Sequence, residues 1–223
     1  MGKLQRLLSV GMAVSICKFI YYNFLCSRVV RDKGCYIVPY RHTRIELNRS
    51  ARIILKAHLL LNKNKYPHSR AECYLRLRKG AEMVVNGEVS LFYSATLEVH
   101  NNGKLSIGSC SINSGAVIIC AYKMSIGNGC LIARHCMISD SDHHQVLNDD
   151  GDISNYPREV IIGDNVWLGI KSTVMRGTKI KSGSVVGANA LVMGRIKEKT
   201  LVMNEPAREF SKINWSLKGF NDD

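Results

Sequence analysis

The chain has 223 residues, a formal net charge of +13 and eight cysteines, which bounds it to one main domain with an appendage. The cysteines form no CxxC pair, so neither a zinc cluster nor a disulfide framework is expected, and reduced structural thiols remain. The basic balance fits nucleic acid, yet no aromatic platform or known nucleic-acid motif accompanies it, so a nucleic-acid partner is excluded.

The charge is confined to one end. Residues 1–80 hold 17 Lys and Arg against 3 Asp and Glu, while residues 81–223 hold 14 against 15. Within the basic part, Leu7 to Cys26 is mainly apolar, is broken by Lys18 and carries Tyr21, Tyr22 and Phe24 near its end. A spanning helix would lack that central lysine. The flanking Lys3, Arg6, Arg28, Arg31 and Lys33 suit anionic headgroups, so the run from Leu7 to Cys26 is expected to form an amphipathic helix on the cytoplasmic face of the membrane, with contact through residues 1–33. The competing reading is a helical cap over one end of the domain. No small-residue cleavage site follows the apolar run, so a signal peptide is not expected.

Further along, Val89, Leu91, Leu97, Val99, Leu105 and Ile107 alternate between turn pairs such as Asn86-Gly87 and Asn102-Gly103. A stricter beat follows. Aliphatic residues recur every sixth position at Ile126, Ile132 and Ile138, and again at Ile162, Leu168, Val174, Ile180, Val186 and Val192. Neither a helix nor an ordinary strand has that period. It marks a hexapeptide solenoid, whose chain turns a corner every six residues, points the first side chain inward and leaves little room for the fifth. The fifth places agree, being Cys130, Cys136, Val166, Ser172, Thr178, Ser184 and Ala190.

Between Ile138 and Ile162 the phase is interrupted and then resumed. The interruption, about residues 142–158, is rich in Asp, Asn, His and Gly and too polar for the wall. Long loops on rigid scaffolds commonly carry function. The expected organisation is therefore a basic segment over 1–80, a solenoid over 81–203 with this inserted loop, and a tail over 204–223.

Three ordered motifs resemble the left-handed parallel β-helix acyltransferases, which include galactoside, maltose and capsule or lipopolysaccharide O-acetyltransferases. Ile138-Ser-Asp-Ser-Asp-His-His-Gln-Val146 is similar to the family's I-x-D-x-D-x-H-x-I stretch, Ile162-Gly-Asp-Asn-Val-Trp-Leu-Gly169 to its IG-x-NVWIG block, and Asn204-Glu-Pro-Ala-Arg208 to its G-N-P-A-[KR] exit. The resemblance covers residues 85–210 and implies an all-β solenoid, a left-handed parallel β-helix with an inserted catalytic loop, assembled as a homotrimer with sites between neighbouring prisms. Residues Asn23, Arg28 to Lys33, Tyr36 to Pro39 and Arg41 to Ile45 look like the leader of surface-polysaccharide acetyltransferases, which implies a lipid-linked or membrane-proximal glycan acceptor.

The implied reaction moves an acetyl group from acetyl-CoA to a sugar hydroxyl through a ternary complex, with a loop histidine as general base. Imidazole suits the task because its pKa lies near working pH. The motif phase places His144 in the base position; counting back without a gap from Gly163 places His143 there. Asp142 or Asp140 would hold the imidazole in one tautomer, and Asp140 and Asn113 belong to the implied acceptor-binding set. Trp167, Gly169 and Ala188 match the pantetheine channel, and Arg208 matches the cation that meets the nucleotide end of CoA. Where the family often has Thr-Lys after the last hexad this chain has Met193-Gly194-Arg195, which passes that role to Arg195 or Lys197. No metal is implied. Competing readings are N-acetylation of an amino sugar and a non-catalytic scaffold for a membrane glycan assembly.

Overall fold

Each hexad sends one aliphatic side chain inward and makes one corner, and in the computed structural model these corners wind the chain into a three-faced prism. The structure describes residues 14–66 and 68–204. Among the described residues, 23 short strands fall onto three parallel sheets of eight, eight and seven strands. The first face opens with Val29–Arg31, the second with Ile37–Pro39 and the third with Thr43–Leu47. Every later strand adds to the faces in that rotation. The core is a set of stacked rows, such as Leu75, Leu97, Ile118, Ile138, Val174 and Val192 inside the third face, all at most 2% exposed.

The regular coils explain the beat. Ile162 pairs with Ile180, Leu168 with Val186 and Val174 with Val192, each 18 residues on. The fifth-place residues are buried as expected, and their hydroxyls find carbonyls: Thr178 Oγ1 donates to Met175 O at 2.6 Å and Ser184 Oγ to Lys197 O at 2.8 Å. Cys130 and Cys136 sit in the same place, and the described cysteines are all unpaired thiols. The corner itself is made at the fourth place, where Gly129, His135, Asn165, Lys171, Gly177, Gly183 and Asn189 all have positive φ, from +53° to +77°. Glycine and asparagine dominate because a Cβ is penalised in the left-handed region.

The solenoid begins at Val29, about fifty residues before the expected boundary at 81, since the earliest strands already belong to the same three sheets. The hexad phase hides this because the first coils have long corners: Ile53 pairs with Met83, 30 residues on, and Met83 with Leu105, 22 on. Only the alternation within strands survives, as in Cys73–Leu77, which buries Cys73, Leu75 and Leu77.

Helix α1 (Ile16–Ile20) runs into a π-helical turn, Tyr21–Leu25, and caps the first coil. Lys18, the residue that interrupts the apolar run, donates its Nζ to Thr43 O. Asn23 is buried and imitates a strand neighbour: Oδ1 accepts the N–H of Ile37 and Nδ2 donates to its carbonyl, both at 2.8 Å. Tyr22 hydroxyl donates to Ile45 O at 2.9 Å. The described part of the expected helix is thus attached to the prism end. No helix among the described residues is long and apolar enough to cross a membrane.

Candidate active site

The inserted loop leaves the prism at the corner between the third and first faces, after strand Met137–Ser139 and before Val160–Ile162. Asp140 fixes its base. Its carboxylate is fully buried and accepts the backbone N–H groups of Ala121 (2.6 Å), Tyr122 (2.9 Å) and Lys123 (2.8 Å), while its own carbonyl receives the N–H of Arg158 at 2.9 Å. One aspartate therefore ties the loop's two ends together and joins them to the preceding coil. The buried carboxylate has no surface to offer an acceptor, so Asp140 is an anchor and not the acceptor-binding residue the motif implied.

Within the loop, Asn155 organises the turn. Its Oδ1 accepts the N–H of Val146 at 2.7 Å, and its Nδ2 donates to His144 O at 2.8 Å and to Asp142 Oδ2 at 3.1 Å. Arg176, on the following coil, donates Nε to the same Asp142 oxygen at 2.6 Å. That hydrogen bond, foremost among its influences, holds the Asp142 carboxyl below its usual range. Asp142 is thus occupied by an arginine and an asparagine and orients neither imidazole, contrary to the triad expectation. Both donors meet Oδ2, and no described hydrogen bond joins either Asp142 oxygen to an imidazole.

The two histidines differ sharply. His143 has φ +63°, and its N–H is held by Ser141 Oγ at 3.0 Å. This left-handed step folds the ring back onto the prism, with Nε2 3.4 Å from Ser139 Oγ and the ring centroid 5.2 Å from that of His100. His100 in turn lies with Nε2 3.7 Å from Glu98 Oε2. Burial, then Arg78 and His143, push the His100 pKa down, so it is neutral at pH 7. Both His143 and His144 are exposed, but for His144 the backbone, not the ring, carries the described contacts: its N–H donates to Asp142 O at 2.8 Å.

The remaining expected residues lie elsewhere on the same chain. Asn113 is half-buried at the corner between the second and third faces, with Oδ1 accepting the Ser114 N–H at 2.7 Å. Gly169 and Ala188 share that corner. A Cβ on Gly169 would come within 2.7 Å of Val186 O and 2.8 Å of Ala188 N, so glycine is required there for coil stacking. Trp167 is 52% exposed on the second face between Leu131 and Val185. Arg195 lies exposed on the first face and Lys197 exposed at the corner that follows. Arg208 lies outside the described residues. The third face therefore separates the loop histidines from Asn113, Gly169 and Ala188, and one chain alone does not bring the two groups together.

Sequence reading missed Arg176, Asn155 and the Glu98–His100 pair. His100 reads as an isolated upstream residue, because the 42 positions between it and His143 carry no spacing signal; the coil stacking that makes them neighbours is visible only in three dimensions. Among the described residues, no three His, Cys, Asp or Glu side chains cluster as a metal site would need.

A parallel prism built of hexads, with one polar loop thrown off a corner, is a left-handed β-helix, and comparison with known proteins agrees. Residues 159–194 match the family model described as bacterial transferase hexapeptide (six repeats). It is 36% identical over 116 residues, 48% of its length, to the putative lipopolysaccharide biosynthesis O-acetyl transferase WbbJ of Escherichia coli (strain K12). It is 31% identical over 104 residues, 46% of its length, to the galactoside O-acetyltransferase of the same organism. The chain spans 59% and 50% of those two relatives. Among solved structures, a polysialic acid O-acetyltransferase superposes with a TM-score of 0.50 at 20% identity, covering 87% of this chain and 93% of that one, which establishes the shared fold.

Proposed function

We propose that the protein is an acetyl-CoA-dependent O-acetyltransferase acting on a sugar hydroxyl, in a surface-polysaccharide precursor, with the loop imidazole of His143 as general base. The observation that carries this reading is the way Asp140, Asn155 and Arg176 hold one polar loop so that His143 is set against the outer wall of the prism. The names of the relatives supply the acyl group and the acceptor class. The sequence motif phases His144 into this role; the geometry supports His143, because a base must be held within reach of the proton it takes.

In this reaction the acceptor hydroxyl loses its proton to the imidazole as its oxygen attacks the thioester carbonyl. The tetrahedral oxyanion collapses, the C–S bond breaks, and the thiolate takes the proton from the imidazolium to leave as CoA thiol. The atoms balance without an acyl-enzyme, so both substrates are bound at once. The separation of His143 from Trp167, Gly169 and Ala188 across the third face supports a site completed between chains of a homotrimer. Arg195 and Lys197 are exposed cations suited to the phosphates of CoA, with Arg208 in the same role. The exposed Ile16, Phe24 and Leu25, beside Arg28 and Lys33, support peripheral contact with an anionic membrane face where a lipid-linked acceptor would lie.

The test is release of CoA thiol from acetyl-CoA in the presence of a glycan panel, with His143→Ala and His144→Ala compared side by side. The reading expects His143→Ala to lower kcat by about 10²–10⁴-fold with unchanged melting temperature, and His144→Ala to cost far less. Equal activity of His143→Ala and the unmodified chain would reject it.

A further inference from the structure

The outward row of the third face runs Glu46, Arg76, Glu98, Ile119 and Ser139, one residue per coil. His143 lies over the Ser139 end. At the other end a cleft of about 490 Å³ opens, lined by Glu46, Asn48, Arg76, Arg78, Lys79 and Asn101. The two are connected: His143 packs on His100, His100 approaches Glu98, and Glu98 Oε2 lies 3.5 Å from Arg78 and 3.9 Å from Arg76. Cleft and loop histidine thus share one edge of the prism with nothing but this chain of side chains between them.

Of the two guanidiniums in the cleft, Arg76 is paired through Nε with Glu46 Oε2 at 3.3 Å, and Arg78 is the less fully satisfied. Arg76 and Arg78 share one carboxylate oxygen, at distances beyond hydrogen bonding, and that oxygen accepts no hydrogen bond from any described residue. Arg78 Nε is likewise buried without a partner. Buried donors in folded proteins are almost always paired, so this open Nε marks Arg78, whose side chain lines the cleft, as a cation the protein itself does not fully satisfy. Lys79 is exposed at the rim, and Asn48 and Asn101 add neutral hydrogen-bonding groups of the kind that meet sugar hydroxyls. A guanidinium pair with an adjacent ammonium selects an oxyanion.

We infer that this cleft is an acceptor subsite for an acidic saccharide, holding a carboxylate or phosphate of the glycan while a hydroxyl further along reaches His143. The row of Arg76 and the row of Ser139 are three coils apart, roughly 14 Å at the usual strand spacing, a span of a few sugar units. Calling the ligand an acceptor rests on the acyl-transfer reading; the binding of an acidic saccharide does not.

The experiment is calorimetric titration of the full chain with trigalacturonate, with a neutral maltotriose and with a phosphate-bearing maltotriose, at low and moderate salt. Its companion is the double variant Arg78→Gln/Lys79→Gln, checked for an unchanged melting temperature, with the exposed single variant Lys79→Gln as a second probe should the double variant fold poorly. At least one acidic probe is expected to bind, more weakly as salt rises, at least tenfold more tightly than neutral maltotriose, and to lose that advantage in the double variant. Whether the uronate or the phosphate probe binds identifies the oxyanion. Equal binding of the neutral trisaccharide, no binding of either acidic probe, or affinity unchanged in the variants overturns the subsite. Binding of an acidic probe without any acetyl transfer would leave the subsite standing and remove the acyltransferase reading. Transfer with the same KM for acidic acceptors in the unmodified and variant chains would do the reverse.

Discussion

Arg176 Nε donates to Asp142 Oδ2 at 2.6 Å, and this bond joins the loop to the coil that follows it. Asp140 ties the loop to the coil before it, so the segment is held from both sides. The histidine pair follows directly on Asp142.

Replacing Arg176 by glutamine removes one tie without touching either imidazole. Misplacing a catalytic group by about an ångström costs on the order of 10²-fold, so Arg176→Gln is expected to lower kcat by roughly 10–100-fold, a range set by that misplacement figure. Hydrogen exchange over residues 142–156 should rise while the melting temperature holds. Unaltered exchange in the loop would show that the bond does not position it.

The same pair sets a pH limit. The Arg176 guanidinium lowers the folded-state pKa of Asp142, so the bond's contribution is fully present above the unfolded carboxyl pKa of about 3.9 and is lost as pH falls through the lower folded value. Limited proteolysis of the loop is expected to be flat from pH 7 to about 5 and to accelerate only below about 4. In Arg176→Gln that acid-dependent step should shrink, because the partner that shifts the carboxyl is gone.

Asp140 tests the anchor. Asp140→Asn keeps the shape but replaces an ionised acceptor of three backbone N–H bonds with a neutral amide whose NH₂ cannot accept. Charge-assisted bonds contribute about 1.5–3 kcal/mol each and an orphaned buried donor costs about 1–3, so a loss on the order of 3 kcal/mol is expected, read by denaturant midpoint. A variant as stable as the unmodified chain would refute the anchoring role.

The parts of this molecule that sequence reveals are those repeated at constant spacing. Ile162 to Val192 announce themselves because identical corners return each inward residue to the same place, and the loop stands out as polar residues where that pattern stops. Its 18 extra residues equal one regular coil, as the pairing of Ile138 with Val174, 36 on, shows, so the phase resumes unshifted. The coils from Val29 to Leu77 escape because corner length varies freely when corners are exposed. Contacts between coils are similarly invisible: whether Asp142 meets a histidine or Arg176 depends on side-chain direction over a stacked neighbour, and no local signal encodes it.

The fourth place of the hexad offers a gain in stability. Lys171 holds φ +56° with an exposed side chain, at a corner where five of the seven equivalent positions are glycine or asparagine. A Cβ in the left-handed region costs about 1–2 kcal/mol, whereas glycine adds about 0.4–1 kcal/mol of unfolded-state entropy. Strain relief is the larger effect, so Lys171→Gly is expected to stabilise by up to about 1 kcal/mol, raising Tm by about 2–4 °C for a chain of this size. Lys171→Ala keeps the Cβ and is the control that should gain nothing. Equal Tm values for the two variants would locate any gain in the lost charge and not in the backbone.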